Sequence, residues 1–262
     1  MPCPLLQVDA FTAVPFAGNP AAVCLLGAPA DPEWMQRVAR EMNLSETAFL
    51  AKRPDGWGLR WFTPTVEIAL CGHATLASAH VLWEEGLQKP SEEIRFHTKS
   101  GPLACRRAGD WIEMDFPATR EEPAQPPEGL AEALGATPRY VGRSRFDFLV
   151  EVDSEETLRA LAPDHALLRA LPVRGVIVTC RSERPKYDFV SRFFAPGSGI
   201  EEDPVTGSAH CCLGPFWGKR LKKTEMTGFQ ASARGGVVRV TVMGERVLLG
   251  GQAVTVLRGT LL

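Results

Sequence analysis

The sequence lacks several features that would assign a chain to a functional class at once. Its net charge is only −2, from 29 Lys and Arg residues against 31 Asp and Glu residues. It therefore has no excess of one sign to attract nucleic acid or an anionic membrane. No stretch approaches the ~18 uninterrupted apolar residues that span a bilayer, and residues 1–6 do not have the pattern of a secretory signal. The sequence predicts a cytoplasmic protein without nucleic-acid or membrane partners.

Metal and disulfide signatures are missing too. The seven cysteines are odd in number and scattered, and no C-x-x-C motif occurs. This usage is typical of reduced, buried thiols and not of a disulfide framework or a zinc site. No pair of the five histidines has a convincing ligand spacing with carboxylates, so we expect no metal.

An internal repeat is the most informative feature that is present. Residues 60–64 (RWFTP) lead through Glu67 to residues 71–74 (CGHA) and an apolar stretch. Residues 192–196 (RFFAP) lead through two glutamates to residues 206–209 (TGSA) and a second apolar stretch. The copies start 132 positions apart (192 minus 60), about half of the 262-residue chain. Each copy predicts a strand, a short acidic loop and a buried helix, so the chain is predicted to have two related lobes.

The fold class that follows is α+β, with two pseudo-symmetric lobes. Each lobe is predicted as a curved, mostly antiparallel sheet wrapped around a central helix. The proline-rich segment 117–127 is the clearest linker, which gives an N-terminal lobe of residues 1–118 and a C-terminal lobe of residues 119–262. The sequence leaves open whether the last strand, near 252–262, returns to the N-terminal lobe.

The starts of the two central helices are candidate binding sites. A helix start leaves backbone N–H groups without partners, and glycine allows a ligand to approach them. Gly72 and His73 begin the first helix, with Thr75 as a further donor, and Thr206, Gly207 and Ser208 lie at the second. Ordinary helix capping explains either copy alone, whereas the matched pair favours two N-termini that face one substrate across a cleft.

Three ionisable residues are candidates for chemistry. Glu46 lies between apolar neighbours, where burial would raise its pKa as a general acid or base requires, although most such acids are solvated loop residues. His73 lies at a helix N-terminus, where the dipole favours the neutral ring, and capping or packing is the simpler interpretation. Asp203 precedes the second helix, where an acid also suits the helix dipole.

Together these motifs resemble one family. The matching segments are residues 7–12 (QVDAFT), 16–20 (FAGNP), 43–47 (NLSET), 60–64, 72–75 (GHAT) and 202–209 (EDPVTGSA). They closely resemble the PhzF-like, or phenazine biosynthesis-like, proteins, and they cover both lobes in order. The resemblance implies a diaminopimelate epimerase-like fold, a homodimer, and an isomerase that uses neither cofactor nor metal.

The resemblance also implies roles for residues of this chain. Glu46 matches the glutamate that moves a proton within a ring substrate in the phenazine-pathway enzyme. Neighbouring binding positions match Ser45, Gly72, His73, Asp203, Gly207 and Ser208. The predicted activity is a proton shift within a small unsaturated or cyclic carboxylate, with Glu46 as acid/base, His73 and Asp203 as orienting groups, and the helix starts as the carboxylate site.

Two other functions stay open at this point. Epimerases and racemases of this fold use two cysteines as paired bases, and Cys71 matches one of them. The second position is Thr206, whose hydroxyl is far too weak a base to replace a thiolate. The other alternative is a non-catalytic binding or regulatory protein on the same fold.

Overall fold

The computed structural model describes residues 2–262, which divide into two compact units. Unit 1 comprises the chain up to Asp115 together with Gly250–Leu262, and unit 2 comprises Phe116–Leu249. The boundary lies three residues before the one expected from the linker (118 minus 115), and the C-terminal segment belongs to unit 1. Within the described residues no helix is both long and apolar enough to cross a membrane.

Unit 1 consists of a mixed sheet and two helices. Its elements are β1 (Cys3–Ala10), β2 (Asn19–Leu26), α1 (Pro32–Met42), β3 (Glu46–Arg53), β4 (Gly56–Phe62), β5 (Glu67–Ile68), α2 (Gly72–Glu84), β6 (Ile94–Thr98), β7 (Gly101–Ala108), β8 (Trp111–Pro117) and, from the C-terminal segment, β17 (Ala253–Leu261). β1 pairs antiparallel with both β2 and β17. β2 and β3 run parallel, with Ala21 opposite Glu46.

Unit 2 repeats the arrangement with more helices. Its elements are β9 (Glu122–Pro123), α3 (Leu130–Leu134), β10 (Tyr140–Arg143), β11 (Asp147–Glu151), α4 (Glu155–Ala160), α5 (His165–Arg169), β12 (Gly175–Arg181), β13 (Phe189–Phe194), α6 (Gly207–Leu221), β14 (Glu225–Gln230), β15 (Gly236–Met243) and β16 (Arg246–Gly251). Antiparallel pairs again alternate with parallel ones, β11 with β12 and β13 with β14. The α+β class predicted from the sequence is confirmed.

The central helices α2 and α6 are the two predicted from the repeat. From His73 to Trp83 every residue of α2 except His80 is buried, because the helix packs on β1, β2, β3 and β17. α6 is buried from Gly207 to Trp217, apart from Ser208, and packs on β14 and β15. A helix that is apolar on all sides needs such an enclosing sheet, since no face is left for water.

The outer helix α1 shows how local sequence sets helix ends. Asp31 caps it by accepting from the Glu33 N–H at 3.2 Å, and Pro32 occupies the first helical position. Asn43 ends it in a left-handed conformation with φ 49°. The chain then needs only two residues to reach β3 at Glu46, so the end of α1 fixes where that carboxylate enters the sheet.

The repeat places the same ion pair in both units. Arg60 donates to both carboxylate oxygens of Glu67, at 2.7 and 2.8 Å. Arg192 does the same to Glu202, at 2.7 and 2.9 Å. In each copy a bidentate pair ties the acidic loop to the strand before it, which constrains the loop that leads into the central helix.

Pro215 explains why the proline-rich segment lies on unit 2. A proline inside α6 has no N–H, so the carbonyl of Cys211, four residues earlier, loses its helical partner. The Thr119 N–H donates to that carbonyl at 3.0 Å, and the Ala118 N–H donates to Glu245 at 2.9 Å. The start of the segment predicted as the linker is therefore hydrogen-bonded to the unit that it enters.

Candidate active site

The first group of candidate residues lies in unit 1, where Glu46 begins β3. Its side chain is only 7% exposed, although an isolated carboxylate in the interior is costly. The facing side chain is His73, near the start of α2, which is 5% exposed. The Glu46 Oε2 and His73 Nε2 atoms are 3.0 Å apart. The structure thus brings together two predicted residues that are 27 positions apart in sequence (73 minus 46).

The other ring nitrogen of His73 has two different neighbours. The amide nitrogen of Asn19 lies 3.2 Å from Nδ1, and the Cys71 Sγ atom lies 3.5 Å from it. When the ring is neutral with its proton on Nε2, Nδ1 accepts from Asn19 and Nε2 faces the Glu46 carboxylate. When the ring is protonated, Nδ1–H faces the thiol, and the Asn19 amide no longer donates to Nδ1. The two neighbours of Nδ1 therefore suit different protonation states of the ring.

Gly18 makes the position of Asn19 possible. It has a left-handed φ of +65°, and a Cβ there would lie 2.2 Å from the Ala10 carbonyl oxygen. Only glycine avoids that overlap. The tight turn before β2 thus delivers the Asn19 amide to His73.

The protonation of His73 differs from the sequence-based prediction. Burial lowers the pKa of His73, but the neighbouring Cys71 and Glu46 raise it by more, and the net shift is well above the ordinary value. Both neighbours are close to the ring, with Cys71 Sγ 3.5 Å from Nδ1 and Glu46 Oε2 3.0 Å from Nε2. The upward direction of the His73 pKa is opposite to the neutral ring predicted from the helix dipole, because these two groups act against the dipole.

The second group lies in unit 2, in the loop before α6. Asp203 is 8% exposed and Thr206 7%, and the Thr206 hydroxyl donates to the Asp203 carboxylate. Gln230, at the end of β14, is fully buried and bonds both. Its Oε1 atom accepts from the Thr206 N–H at 2.9 Å, and its Nε2 donates to the Asp203 carbonyl at 2.7 Å and to the Thr206 hydroxyl at 3.2 Å.

These bonds change the role expected of Thr206. The sequence places it among the substrate-binding residues, but its hydroxyl already donates to Asp203 and accepts from Gln230. His210 also fixes the position of Thr206, since its Nδ1 lies 2.8 Å from the Thr206 carbonyl oxygen. Burial lowers the pKa of His210 to about 4, so the neutral ring donates from Nδ1. Thr206 is a fixed part of the loop that presents Asp203.

Gln230 can be tested by unfolding. In Gln230→Leu the Thr206 N–H and the Asp203 carbonyl lose their partner, and buried polar groups without partners cost about 1–3 kcal/mol each. We expect the free energy of unfolding to fall by about 3 kcal/mol and the melting temperature by roughly 6–12 °C. Urea and thermal unfolding measure this. Gln88→Leu is the control, because Gln88 bonds only Glu92 at the surface. Equal stability of the two variants would contradict the assignment.

Neither central helix has a side-chain cap. Cys71 precedes α2 and Thr206 precedes α6, and neither side chain accepts from the first turn of its helix. By contrast, α1, α4 and α5 are capped by Asp31, Ser154 and Asp164, whereas the short helix α3 begins after a glycine and has no side-chain cap either. The side chains that precede α2 and α6 therefore do not act as ordinary helix caps, which was the simpler interpretation of each helix start. An acceptor from elsewhere, such as a carboxylate, suits these N–H groups.

The remaining predicted positions lie beside these groups. Ser45 precedes Glu46 and is half-buried, and Gly72 and Ser208 are half-buried in the first turns of α2 and α6. Gly207, the first residue of α6, is buried. Thr75 does not offer a donor to a ligand, because its hydroxyl donates to the Cys71 carbonyl and it is fully buried.

Comparison with known proteins agrees with the family resemblance. The model of the PhzC-PhzF family, described as phenazine biosynthesis-like protein, matches residues 8–259. An uncharacterized isomerase of Halalkalibacterium halodurans is 55% identical over 100% of this chain and 99% of that protein. The chain belongs to the PhzC-PhzF family. It is accordingly an isomerase, the class named for its similar relatives.

Solved structures extend the comparison to the fold. A PhzF family protein of Enterococcus faecalis is 42% identical, with a TM-score of 0.96 and 100% of both chains covered. A hydroxyproline epimerase of Agrobacterium vitis is only 14% identical, with a TM-score of 0.65 over 99% of this chain and 91% of that one, and so shares the fold alone. The two-lobed epimerase-like architecture expected of a PhzC-PhzF protein is therefore confirmed.

Two functional candidates of this PhzC-PhzF protein were missed by sequence reasoning. Asn19 lies in the matched segment 16–20 but carries no sign that its amide faces a histidine. Gln230 ends an ordinary strand, 24 positions beyond Thr206 (230 minus 206), and belongs to no motif. A polar residue that ends an apolar strand is the only available signal, and it is a weak one.

Proposed function

We propose that this isomerase moves a proton within a small unsaturated or cyclic carboxylate, with Glu46 as the acid/base. The observation that carries the proposal is the buried contact of 3.0 Å between Glu46 and His73. A carboxylate in a nearly dry site with a polarised partner can take up a proton from carbon and return it elsewhere on the same molecule.

His73 is the orienting group in this proposal. Its raised pKa means that it can keep a proton while Glu46 is ionised. A protonated ring at this distance stabilises the carboxylate before it takes the substrate proton and fixes its orientation. Asp203 is the second orienting group, and the bonds from Thr206 and Gln230 support that role by holding its loop.

In this proposal the substrate carboxylate binds at an uncapped helix start, and α2 provides the one beside Glu46 and His73. Backbone N–H groups and the positive end of a helix favour a negative charge, and they also stabilise charge that develops as a proton leaves carbon. The half-buried Gly72 and Ser208 keep these first turns accessible.

Hydrogen exchange provides the direct test. A panel of small carboxylates with a C–H next to a double bond or carbonyl group is incubated with the protein in D₂O, and deuterium uptake is followed by NMR. We expect enzyme-dependent uptake into at least one compound, at a carbon that also regains the proton in the isomerised product. Uptake that is lost on alkylation of Cys71 and retained in Glu46→Gln would contradict the proposal.

The thiol-based alternative is supported by one observation and opposed by two. The Cys71 Sγ atom lies 3.5 Å from His73 Nδ1, as a thiol and its base would. However, burial raises the pKa of Cys71, and the hydroxyl of Thr206 is occupied by Asp203 and Gln230. A two-base epimerase needs an ionisable group at both positions, so the glutamate mechanism is the better supported.

A further inference from the structure

The proposed acid/base Glu46 lies beside two other side chains that can bind a metal ion. One atom each from Glu46, Cys71 and His73 lies within 4.8 Å of the others, and all three residues are buried. The sequence predicts no metal, because no local spacing suggests one. The three residues come from the start of β3 and the start of α2, and only the fold brings them together.

We propose that this trio is an inhibitory site for Zn²⁺, in which the ion occupies Glu46 and so competes with proton transfer. The inference rests on the proposed function for the inhibition, but not for the binding. Sulfur, imidazole nitrogen and carboxylate oxygen are the donors that zinc uses in proteins. Three protein ligands with a fourth position open to solvent or a small ligand is a common zinc arrangement.

The distances are close to those of a zinc shell. Zinc bond lengths of about 2.0–2.3 Å put neighbouring donor atoms of a tetrahedron about 3.3–3.6 Å apart. The Cys71 Sγ to His73 Nδ1 distance is 3.5 Å, and the Glu46 Oε2 to His73 Nε2 distance is 3.0 Å. The two contacts use different ring nitrogens, and the three ligand atoms lie within 4.8 Å of one another. Binding by all three residues therefore requires Glu46 or Cys71 to move by roughly 1 Å to reach the donor spacing of a zinc shell.

The two nearest ligand atoms face each other in the interior. Glu46 Oε2 and His73 Nε2 are both buried and lie 3.0 Å apart. An ion that enters the site would replace this single contact with a bond to each residue.

The local charge also favours a divalent cation. A helix N-terminus carries about half a positive charge, which by itself opposes a cation. The ion must first displace the protons of His73 and Cys71, because only the neutral ring and the thiolate bind a metal. The thiolate and the Glu46 carboxylate then bring two full negative charges to the same place. The balance is negative, and the carboxamide of Asn19 adds no charge.

Co²⁺ is the probe for binding, since cobalt bound to thiolate absorbs in the near ultraviolet whereas Zn²⁺ does not absorb. Tag-free, metal-free full-length protein is titrated with Co²⁺, and the band is then displaced with Zn²⁺. We expect one thiolate-bound Co²⁺ per chain. We expect the band to disappear in Cys71→Ser and the affinity to fall about a hundredfold or more in Glu46→Gln, since the loss of an outer-shell partner alone costs about 10–100-fold.

His80→Gln is the matched control. His80 is on the same helix and its Nε2 lies 3.4 Å from Glu84 Oε2, so it is the rival surface pair. We expect that variant to bind Co²⁺ as the wild type does. Circular dichroism of each variant separates lost binding from lost folding. Absence of a thiolate band in the wild type, or binding that follows His80, would overturn the proposal.

Deuterium exchange then tests the inhibition. Zn²⁺ should suppress exchange at the concentrations at which it displaces Co²⁺, and EDTA should restore the exchange. Stimulation by Zn²⁺, or no effect at saturation, would overturn the competitive role. If exchange persists in Glu46→Gln while the cobalt band behaves as expected, the proposed function fails and the metal site stands, so the two failures are distinct.

Discussion

Glu46→Gln should reduce deuterium exchange and turnover by about 10³-fold or more, the usual contribution of a positioned general base. That corresponds to about 4 kcal/mol of lost transition-state stabilisation. The amide has the shape of the carboxylate but accepts no proton at neutral pH. His73 lies 3.0 Å from the replaced atom, so the substitution alters the chemistry and little of the packing.

Folding of this variant should survive because His73 can adapt. Removing one member of a buried ion pair is costly when the other must stay charged. Glu46 is one of the two neighbours that raise the pKa of His73, so its replacement by glutamine lowers that pKa and favours the neutral ring. The Asn19 amide and the Cys71 thiol remain next to Nδ1.

Two further variants make the result decisive. Glu41→Gln removes an exposed carboxylate from α1, five positions earlier (46 minus 41), and should leave exchange unchanged. Glu46→Asp keeps the base but withdraws it by one methylene, and should retain part of the activity. A folded Glu46→Gln variant with wild-type exchange would remove Glu46 from the mechanism.

The sequence predicts the elements of this site better than their contacts. α1 spans Pro32–Met42 because the cap, the N-terminal proline and the apolar spacing are all local signals. The repeat likewise predicts α2 and α6, since their burial is visible in continuous apolar runs. Family resemblance selects Glu46 and His73, but nothing local indicates that their side chains meet.

That contact depends on strand register. Parallel pairing of β2 and β3 sets Ala21 opposite Glu46 and so places Asn19 beside the same histidine. A register shift of one residue would turn every side chain of a strand to the other face, and alternation in a single sequence does not specify the partner strand. The role of Gln230 could not be predicted for the same reason, because it depends on the end of β14 lying beside the loop of Asp203.

The raised pKa of His73 could not be predicted either, and it corrects an argument from the helix dipole. The effect of the helix dipole on His73 can be predicted from the local sequence. The Glu46 carboxylate that opposes this effect comes from a strand and cannot be located in the same way. The bidentate pairs of Arg60 with Glu67 and Arg192 with Glu202 are a similar case. The repeat shows both residue types in each copy, but only the fold shows them paired.

His73→Gln should lower turnover by about 10²–10³-fold, because the acid/base loses the group that orients it and stabilises its charge. The affinity for the substrate carboxylate should change much less, since the backbone N–H groups of α2 remain. Turnover at saturating substrate measures the first effect. The second is measured as ligand binding with and without His73→Gln in the Glu46→Gln background, where turnover is slow. His80→Gln is again the control, because its ring contacts Thr255 and Glu84 instead.

The pH dependence of stability provides an independent check on the charge of His73. Its pKa in the folded protein is raised above the ordinary value of 6.5, so folding favours the protonated ring. The resulting stabilisation is fully present below about pH 6.5, the pKa expected in the unfolded chain, and is lost as the pH rises through the folded-state pKa. The unfolding free energy of the wild type should therefore exceed that of His73→Gln most at low pH, with the difference shrinking as the pH increases. Urea unfolding of both proteins across this range measures the difference. A gap that widens with pH would mean that the ring is buried neutral, and Glu46 would then act without a cationic partner.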